Sequence, residues 1–195
     1  MEVLLNNIGF SFTLSKFIPY VLMILLGLLL VKIIFKKIAS LKLLFRILIL
    51  SVLLLLPFCI YFAVHPIYEG DLSNEGREIK EVLNLPKDRD LLIIVLADCP
   101  YCLESVKTTK ILLDKEKKMK VEYLIFNGEK QDSIKFSRML KGMATCSLIK
   151  NSLPIQQTIQ GSFPSFILVV NNKPKKVWSN NTFSVRAWDE IIAIL

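Results

Sequence analysis

The chain has 195 residues, 53% of them hydrophobic, and a mean hydropathy of +0.49, values that are unusual for a soluble protein. Its net charge of +8 does not indicate nucleic-acid binding, because six of the 25 basic residues precede Pro66 and the 19 beyond it face 16 acids. The lysine-rich stretch 115–120 also contains Glu116, so we interpret it as a solvated helix end rather than a phosphate-binding surface.

The hydrophobic excess lies in the first third of the chain. After a tail at 1–16, the nearly uninterrupted apolar runs 17–35 and 43–64 are each long enough to cross a bilayer as a helix. The tail lacks a cluster of positive charge, and no small-residue cleavage site follows the first run, so we expect it to be retained rather than removed as a signal peptide. The sequence therefore predicts two transmembrane helices.

The connector between the two spans is basic, whereas the tail and the segment after Val64 are poor in basic residues. Positive loops stay cytoplasmic, which predicts both termini outside and a C-terminal domain that is periplasmic or extracellular. Disulfides persist in such compartments. We also expect the connector to contact anionic membrane lipid. The basic residues in and beside it are Lys32, Lys36, Lys37, Lys42 and Arg46.

Residues 65–90 are rich in charged and turn-forming types and are predicted to be a linker. Ser73 would cap a short helix at 75–84, which Pro86 would close. His65 is the only histidine of the chain and lies at the membrane boundary, where we interpret it as incidental. A separate domain is predicted at 91–195.

That domain opens with the apolar run 91–96, typical of a strand buried on both faces, followed by Cys99, Pro100, Tyr101 and Cys102. A helix beginning near Cys99 tolerates Pro100 in its first turn, and its free amides and dipole would stabilise a thiolate on Cys99. Cys102 lies one turn further on the same face, within reach of a disulfide. The pattern predicts a redox dithiol in which Cys99 attacks and Cys102 resolves.

A structural disulfide or half of a zinc site is the alternative interpretation of this motif. Zinc commonly takes four ligands. Beyond the motif, the chain offers only Cys59, His65 and Cys146 as cysteine or histidine ligands. We interpret Cys59 as a small apolar residue of the second span, and Cys146 as either a packed free thiol or a relay thiol.

The remaining pattern predicts further helices and strands. The apolar spacing after the motif continues a helix to Lys118, and the helical pattern at 132–151 is interrupted at Gly142. Its candidate buried positions include Ile134 and Leu148. The other predicted elements are strands at 121–126, 165–170 and 175–179, a turn at 171–174 and a helix at 184–195.

The Cys-Pro-Tyr-Cys motif after a hydrophobic strand resembles the active site of the thioredoxin superfamily, and the motif itself is the one common in glutaredoxins. The order βαβ, helix, ββα over 91–195 is similar to the thioredoxin arrangement, an α/β fold with a mixed central sheet flanked by helices. The resemblance implies a thiol-disulfide oxidoreductase with Cys99 and Cys102 as catalytic residues and Pro100 and Tyr101 in contact with substrate.

The same resemblance gives a role to the segment before the first hairpin strand. It implies that Pro164 follows a cis peptide bond and lies opposite the dithiol. Phe163 and Pro164 would form one wall of the substrate groove, where the backbone of residue 163 pairs with an extended substrate segment.

Three departures from the thioredoxin pattern bear on mechanism. Asp98 replaces an aromatic residue and should oppose thiolate formation on Cys99. Ile93 stands where thioredoxins carry a buried acid, six residues before the first cysteine, so the proton acceptor for Cys102 is missing or supplied differently. Tyr101 brings no positive charge. Together they favour a reductase or a disulfide carrier of intermediate potential over a strong oxidant.

The expected partners are protein thiols and disulfides, together with an electron-exchanging protein embedded in the same membrane. No organic cofactor or metal is implied. One alternative is a membrane-tethered binding module whose cysteines form a static disulfide. Another is a copper-carrying metal chaperone, which the absence of histidine from the domain disfavours.

Overall fold

The computed structural model describes residues 2–39, 41–79, 85–150 and 153–194. The chain forms two compact units, Met1–Tyr68 and Glu69–Leu195. Over its described residues, the first unit contains helices joined by turns and no strand. Its helices are α1 (Glu2–Asn7), α2 (Phe12–Phe35) and α3 (Leu43–Val64).

The two long helices of the first unit match the two predicted apolar runs. Helix α2 begins five residues earlier than predicted, because the Ser11 side chain accepts a hydrogen bond from the Leu14 amide at 3.2 Å and caps the helix. The helices pack closely at Gly27, where a Cβ would overlap the carbonyl oxygen of Leu54. Most of their apolar side chains face away from the unit, and their length and composition suggest a membrane anchor or a signal sequence.

The second unit contains a six-stranded sheet with the strand order β1-β6-β5-β2-β3-β4. Its strands are β1 (Arg77–Glu78), β2 (Leu91–Val95), β3 (Val121–Phe126), β4 (Thr145–Ile149), β5 (Ser165–Val170) and β6 (Lys173–Trp178). Its helices are α4 (Glu69–Leu72), α5 (Pro100–Lys115), α6 (Lys130–Met139), α7 (Leu153–Ile159) and α8 (Val185–Ile194).

The sheet is mixed and has the topology of the thioredoxin fold. Strand β2 pairs in parallel with β3 and antiparallel with β5, β3 pairs in parallel with β4, and β5 and β6 form an antiparallel hairpin. Asn171 and Asn172 turn the hairpin with positive φ angles of 52° and 60°. The predicted α/β class and mixed central sheet flanked by helices are therefore confirmed.

Strand β2 is the centre of the core, as its continuous apolar run predicts. All five of its residues are fully buried, since β3 and β5 cover both edges and helices cover the faces. The strand ends at Val95, four residues before Cys99, so the fully buried central strand positions the motif.

The predicted helical region at 132–151 is wrong in its second half. Helix α6 ends at Met139, the chain reverses through Lys141 and Gly142 with φ angles of 53° and 73°, and β4 then adds an edge strand. Leu148 is 47% exposed on that edge and Ile134 is 50% exposed on α6, so neither is a core residue. Residue 151 lies outside the described residues.

The segment predicted as a linker contributes two elements, α4 and β1, to the second unit. The predicted helix at 75–84 is wrong over 75–79, where β1 pairs antiparallel with β6, and 80–84 lies outside the described residues. Tertiary hydrogen bonds hold this edge strand. The Trp178 indole donates to Asn74 Oδ1 at 2.8 Å, and the Arg77 guanidinium donates to the Thr158 carbonyl at 2.6 Å.

Candidate active site

The dithiol motif forms the beginning of α5, as predicted. Cys99 is the N-cap residue with extended backbone angles, and Pro100 occupies the first helical position, where its missing amide costs no hydrogen bond. The Cys99 sulfur accepts a hydrogen bond from the Cys102 amide at 3.2 Å. A hydrogen bond that a backbone amide donates to a sulfur at a helix N-terminus favours negative charge on that sulfur.

The two thiols of the motif differ in environment. Both are free, but Cys99 is part-exposed whereas Cys102 is fully buried. Burial, followed by a hydrogen bond with Cys99, raises the pKa of the Cys102 thiol to about 12. The outer sulfur is therefore the more accessible of the two, and the inner thiol stays protonated at neutral pH.

Phe163 and Pro164 lie beside the dithiol. The peptide bond between them is cis, as the resemblance implies, and the Cys99 thiol donates to the Phe163 carbonyl at 3.9 Å. The ring of Phe163 packs on Phe126, with centroids 5.5 Å apart. Tyr101, in the first turn of α5, is 62% exposed. The structure thus brings the two predicted cysteines and the predicted Phe163–Pro164 pair together, with Cys99 on the accessible side and Cys102 buried behind it.

A lysine that sequence reasoning did not find reaches the motif loop. The Nζ atom of Lys135, from α6, lies 3.5 Å from both the Asp98 carboxylate and the Ala97 carbonyl oxygen. The Asp98 side chain is 94% exposed, so water and Lys135 both weaken its electrostatic effect on Cys99.

Sequence reasoning also missed the polar groups inside the domain behind Cys102. Ile93, at the position of the buried acid of thioredoxins, is fully buried next to Tyr123 in the sheet. The Tyr123 hydroxyl bonds instead to Ser105 and Thr109 of α5. Cys102, Ser105 and Thr109 follow an i, i+3, i+7 spacing, and this shared helix face was the signal that could have revealed the polar cluster.

The remaining cysteines and the histidine lie apart from this motif in the sequence and take no part in its hydrogen bonds. Cys146 is half-buried on β4, where burial and the nearby Glu122 carboxylate raise its pKa to about 11. Cys59 is an exposed residue of α3. The carbonyl of His65 accepts a hydrogen bond from the Tyr20 hydroxyl. Over the described ranges, no group of three or more His, Cys, Asp or Glu side chains is placed to hold a metal ion.

Fold and motif position together define a thioredoxin-like domain with a dithiol at the start of its first long helix. Solved structures similar to this chain include the following three. A secreted disulfide oxidoreductase of Mycobacterium tuberculosis, homologous to DsbE of E. coli, is 12% identical with a TM-score of 0.44 over 54% of this chain and 80% of that one. DsbF of M. tuberculosis is 10% identical with a TM-score of 0.40 over 54% and 79% of the two chains.

The third similar structure is a thioredoxin-like protein from Bacteroides caccae, 16% identical with a TM-score of 0.39 over 73% of this chain and 62% of that one. No family model matches the sequence, and no curated protein matches it.

Proposed function

We propose that the chain is a membrane-anchored thiol-disulfide oxidoreductase that exchanges electrons with protein disulfides outside the cytoplasm. One observation carries the proposal: a part-exposed Cys99 sulfur accepts the Cys102 amide at 3.2 Å, while the Cys102 thiol lies fully buried behind it. A nucleophilic thiol at a helix start with a resolving thiol one turn away is the arrangement that disulfide exchange requires.

The exchange proceeds in two displacements. In the reducing direction, the Cys99 thiolate attacks a substrate disulfide, forms a mixed disulfide and releases one substrate thiolate. Cys102 then loses its proton to water and attacks the Cys99 sulfur, which forms the Cys99–Cys102 disulfide and releases the second substrate thiolate. Two electrons pass from the dithiol to the substrate, and the reverse sequence oxidises a substrate dithiol.

The substrate groove we propose lies along Phe163 and Pro164. The Phe163 backbone would pair with an extended substrate segment, a mode in which main-chain hydrogen bonds give affinity with little sequence selectivity. The exposed Tyr101 and Pro100 beside Cys99 would supply apolar contact around the attacked disulfide. This arrangement suits unfolded or loop segments of protein substrates.

The anchor in this proposal is the helical pair of the first unit, with its basic connector on the cytoplasmic side and in contact with anionic lipid. Both termini then lie outside, which places the dithiol in an oxidising compartment. A redox partner within the same membrane would exchange electrons with the dithiol. A membrane-impermeant maleimide applied to intact cells tests this orientation. Labelling of Cys99 without permeabilisation supports it, and labelling only after permeabilisation contradicts it.

The activity is tested by insulin reduction with the full chain in detergent micelles and dithiothreitol as the electron source. We expect the parent chain to accelerate precipitation of reduced insulin, the Cys99→Ala variant to lose this activity, and the Cys146→Ala variant to retain it as a matched single-thiol control. A Cys99→Ala variant that behaves like the parent would contradict the enzyme and favour the tethered binding module.

A further inference from the structure

A continuous chain of hydroxyl groups runs through the buried side of α5 to the backbone of Cys102. The Thr109 hydroxyl lies 2.9 Å from the Tyr123 hydroxyl, the Tyr123 hydroxyl lies 3.2 Å from Ser105 Oγ, and Ser105 Oγ donates to the Cys102 carbonyl at 2.7 Å. All four residues are buried. Unpaired buried hydroxyls are costly, so a fully bonded set of this kind fixes its members firmly.

The direction of these hydrogen bonds follows from counting protons. Ser105 has one hydroxyl proton, which it gives to the Cys102 carbonyl, so Ser105 Oγ must accept the Tyr123 proton. The Tyr123 oxygen then accepts from Thr109. Burial raises the pKa of Tyr123 above its ordinary value of 10.0, which keeps the donated proton on the phenol. Every bond therefore points toward Cys102.

Local helix geometry explains only part of this chain. A serine hydroxyl often bonds a carbonyl of the preceding turn of its own helix. Tyr123, however, belongs to β3 and lies 18 residues from Ser105 in sequence. In the sheet its neighbours are Ile93 of the central strand and Cys146 of β4. The first turn of α5, which carries the buried thiol, is thereby tied to the sheet.

We propose that Tyr123, acting through Ser105, is a positioning residue that holds Cys102 for its attack on the mixed disulfide at Cys99. The inference rests on the proposed function. In the step concerned, the Cys102 thiol gives its proton to water, its sulfur bonds to the Cys99 sulfur, and the bond between Cys99 and the substrate sulfur breaks to release a thiolate. That displacement needs the three sulfurs nearly in line, so a small displacement of Cys102 slows it.

The aromatic disulfide DTNB separates the two displacements. Attack by Cys99 releases one coloured thiolate and leaves a mixed disulfide, and attack by Cys102 then releases a second. The full chain in detergent micelles carries Cys59→Ala and Cys146→Ser in every variant, so that only the motif reacts. DTNB is in large excess, so that the bimolecular first displacement is fast and the second phase of absorbance measures the step in question.

We expect Tyr123→Phe and Ser105→Ala each to slow the second phase by about three- to tenfold, the effect of losing one hydrogen bond. Tyr123→Phe retains the ring that packs on Phe136, at a centroid distance of 5.7 Å. The rate of the first phase should stay within about twofold of the parent rate, because the hydrogen bond from the Cys102 amide to the Cys99 sulfur is unchanged. Ser105→Thr, which retains the hydroxyl, should have a second phase as fast as that of the parent.

A matched control is Ser133→Ala, because the Ser133 hydroxyl donates to the Cys146 carbonyl at 2.8 Å and makes the same type of bond away from the motif. It should leave both phases unchanged. The double variant Tyr123→Phe with Ser105→Ala should be no slower than the slower single variant, since both interrupt one chain.

Three results would overturn the inference: a second phase unaltered in both single variants, equal slowing by Ser133→Ala, or additive slowing in the double variant. A parent chain that releases a single equivalent of thiolate would instead contradict the proposed function itself.

Discussion

The burial of Cys102 predicts a large difference in alkylation rate between the folded and unfolded chain. Burial raises the pKa of this thiol from 9.0 to about 12. Because only the thiolate reacts, this rise in the pKa lowers the reactive fraction of Cys102 at pH 8 by about a thousandfold. Cys99 is part-exposed at the helix start and should react first, and Cys146, whose pKa is raised to about 11, should react at an intermediate rate.

The sharpest test removes Cys99. Burial is the larger cause of the raised Cys102 pKa and the hydrogen bond with Cys99 the smaller, so a Cys99→Ala variant should still protect Cys102. The assay treats the reduced full chain with iodoacetamide at pH 8, with and without urea, and follows each cysteine by peptide mass spectrometry. Alkylation of Cys102 in the folded variant at a rate within tenfold of the unfolded rate would refute the assignment of the buried resolving thiol.

Three other predictions concern stability. The free energy of unfolding should fall as the pH rises from 9 to about 12, because the unfolded Cys102 thiol ionises at its ordinary pKa and the folded one does not, and Cys102→Ala should reduce that slope in urea titrations. Arg89→Ala leaves the Glu122 carboxylate, which is buried and bonded to Arg89 at 2.8 Å, without its ion partner. This substitution should lower the free energy of unfolding, measured in urea, by roughly 3 kcal/mol. Lys120→Ala, which breaks the exposed ion pair with Asp88, should lower it little. Gly27→Leu should increase hydrogen exchange in both long helices of the first unit, because its side chain meets the backbone of the facing helix; unchanged exchange would exclude the close packing.

The centre of the domain was predictable because its signals are strong and local. The apolar run of β2 is typical of a strand buried on both faces, and Pro100 between two cysteines indicates where α5 begins. The hairpin strand β5 has the predicted bounds 165–170. These signals do not depend on what surrounds the segment.

The sheet edges were not predictable because tertiary contacts determine them. Strand β4 is half-exposed and lacks clear alternation, so its residues resemble the end of a helix more than a strand. Strand β1 has only two residues, held by the hydrogen bond between Asn74 and Trp178, which are 104 residues apart in sequence.

Within the site, the two cysteines and the Phe163–Pro164 pair were predicted, whereas Lys135 and Tyr123 were not. Lys135 reaches the motif loop from α6, and Tyr123 bonds to α5 from β3; a single sequence does not show which elements meet. Ser105 and Thr109 did carry a local signal, their shared helix face with Cys102, although such spacing is also that of an ordinary buried face.

In the proposed reaction, Cys99 attacks protein disulfides and Cys102 releases the product. The most direct experiment incubates the reduced full-length Cys102→Ala variant with native, disulfide-bonded insulin and identifies covalent adducts by mass spectrometry. We expect a stable mixed disulfide on Cys99 that the parent chain does not accumulate. An absence of adduct, or an adduct confined to Cys146, would contradict it.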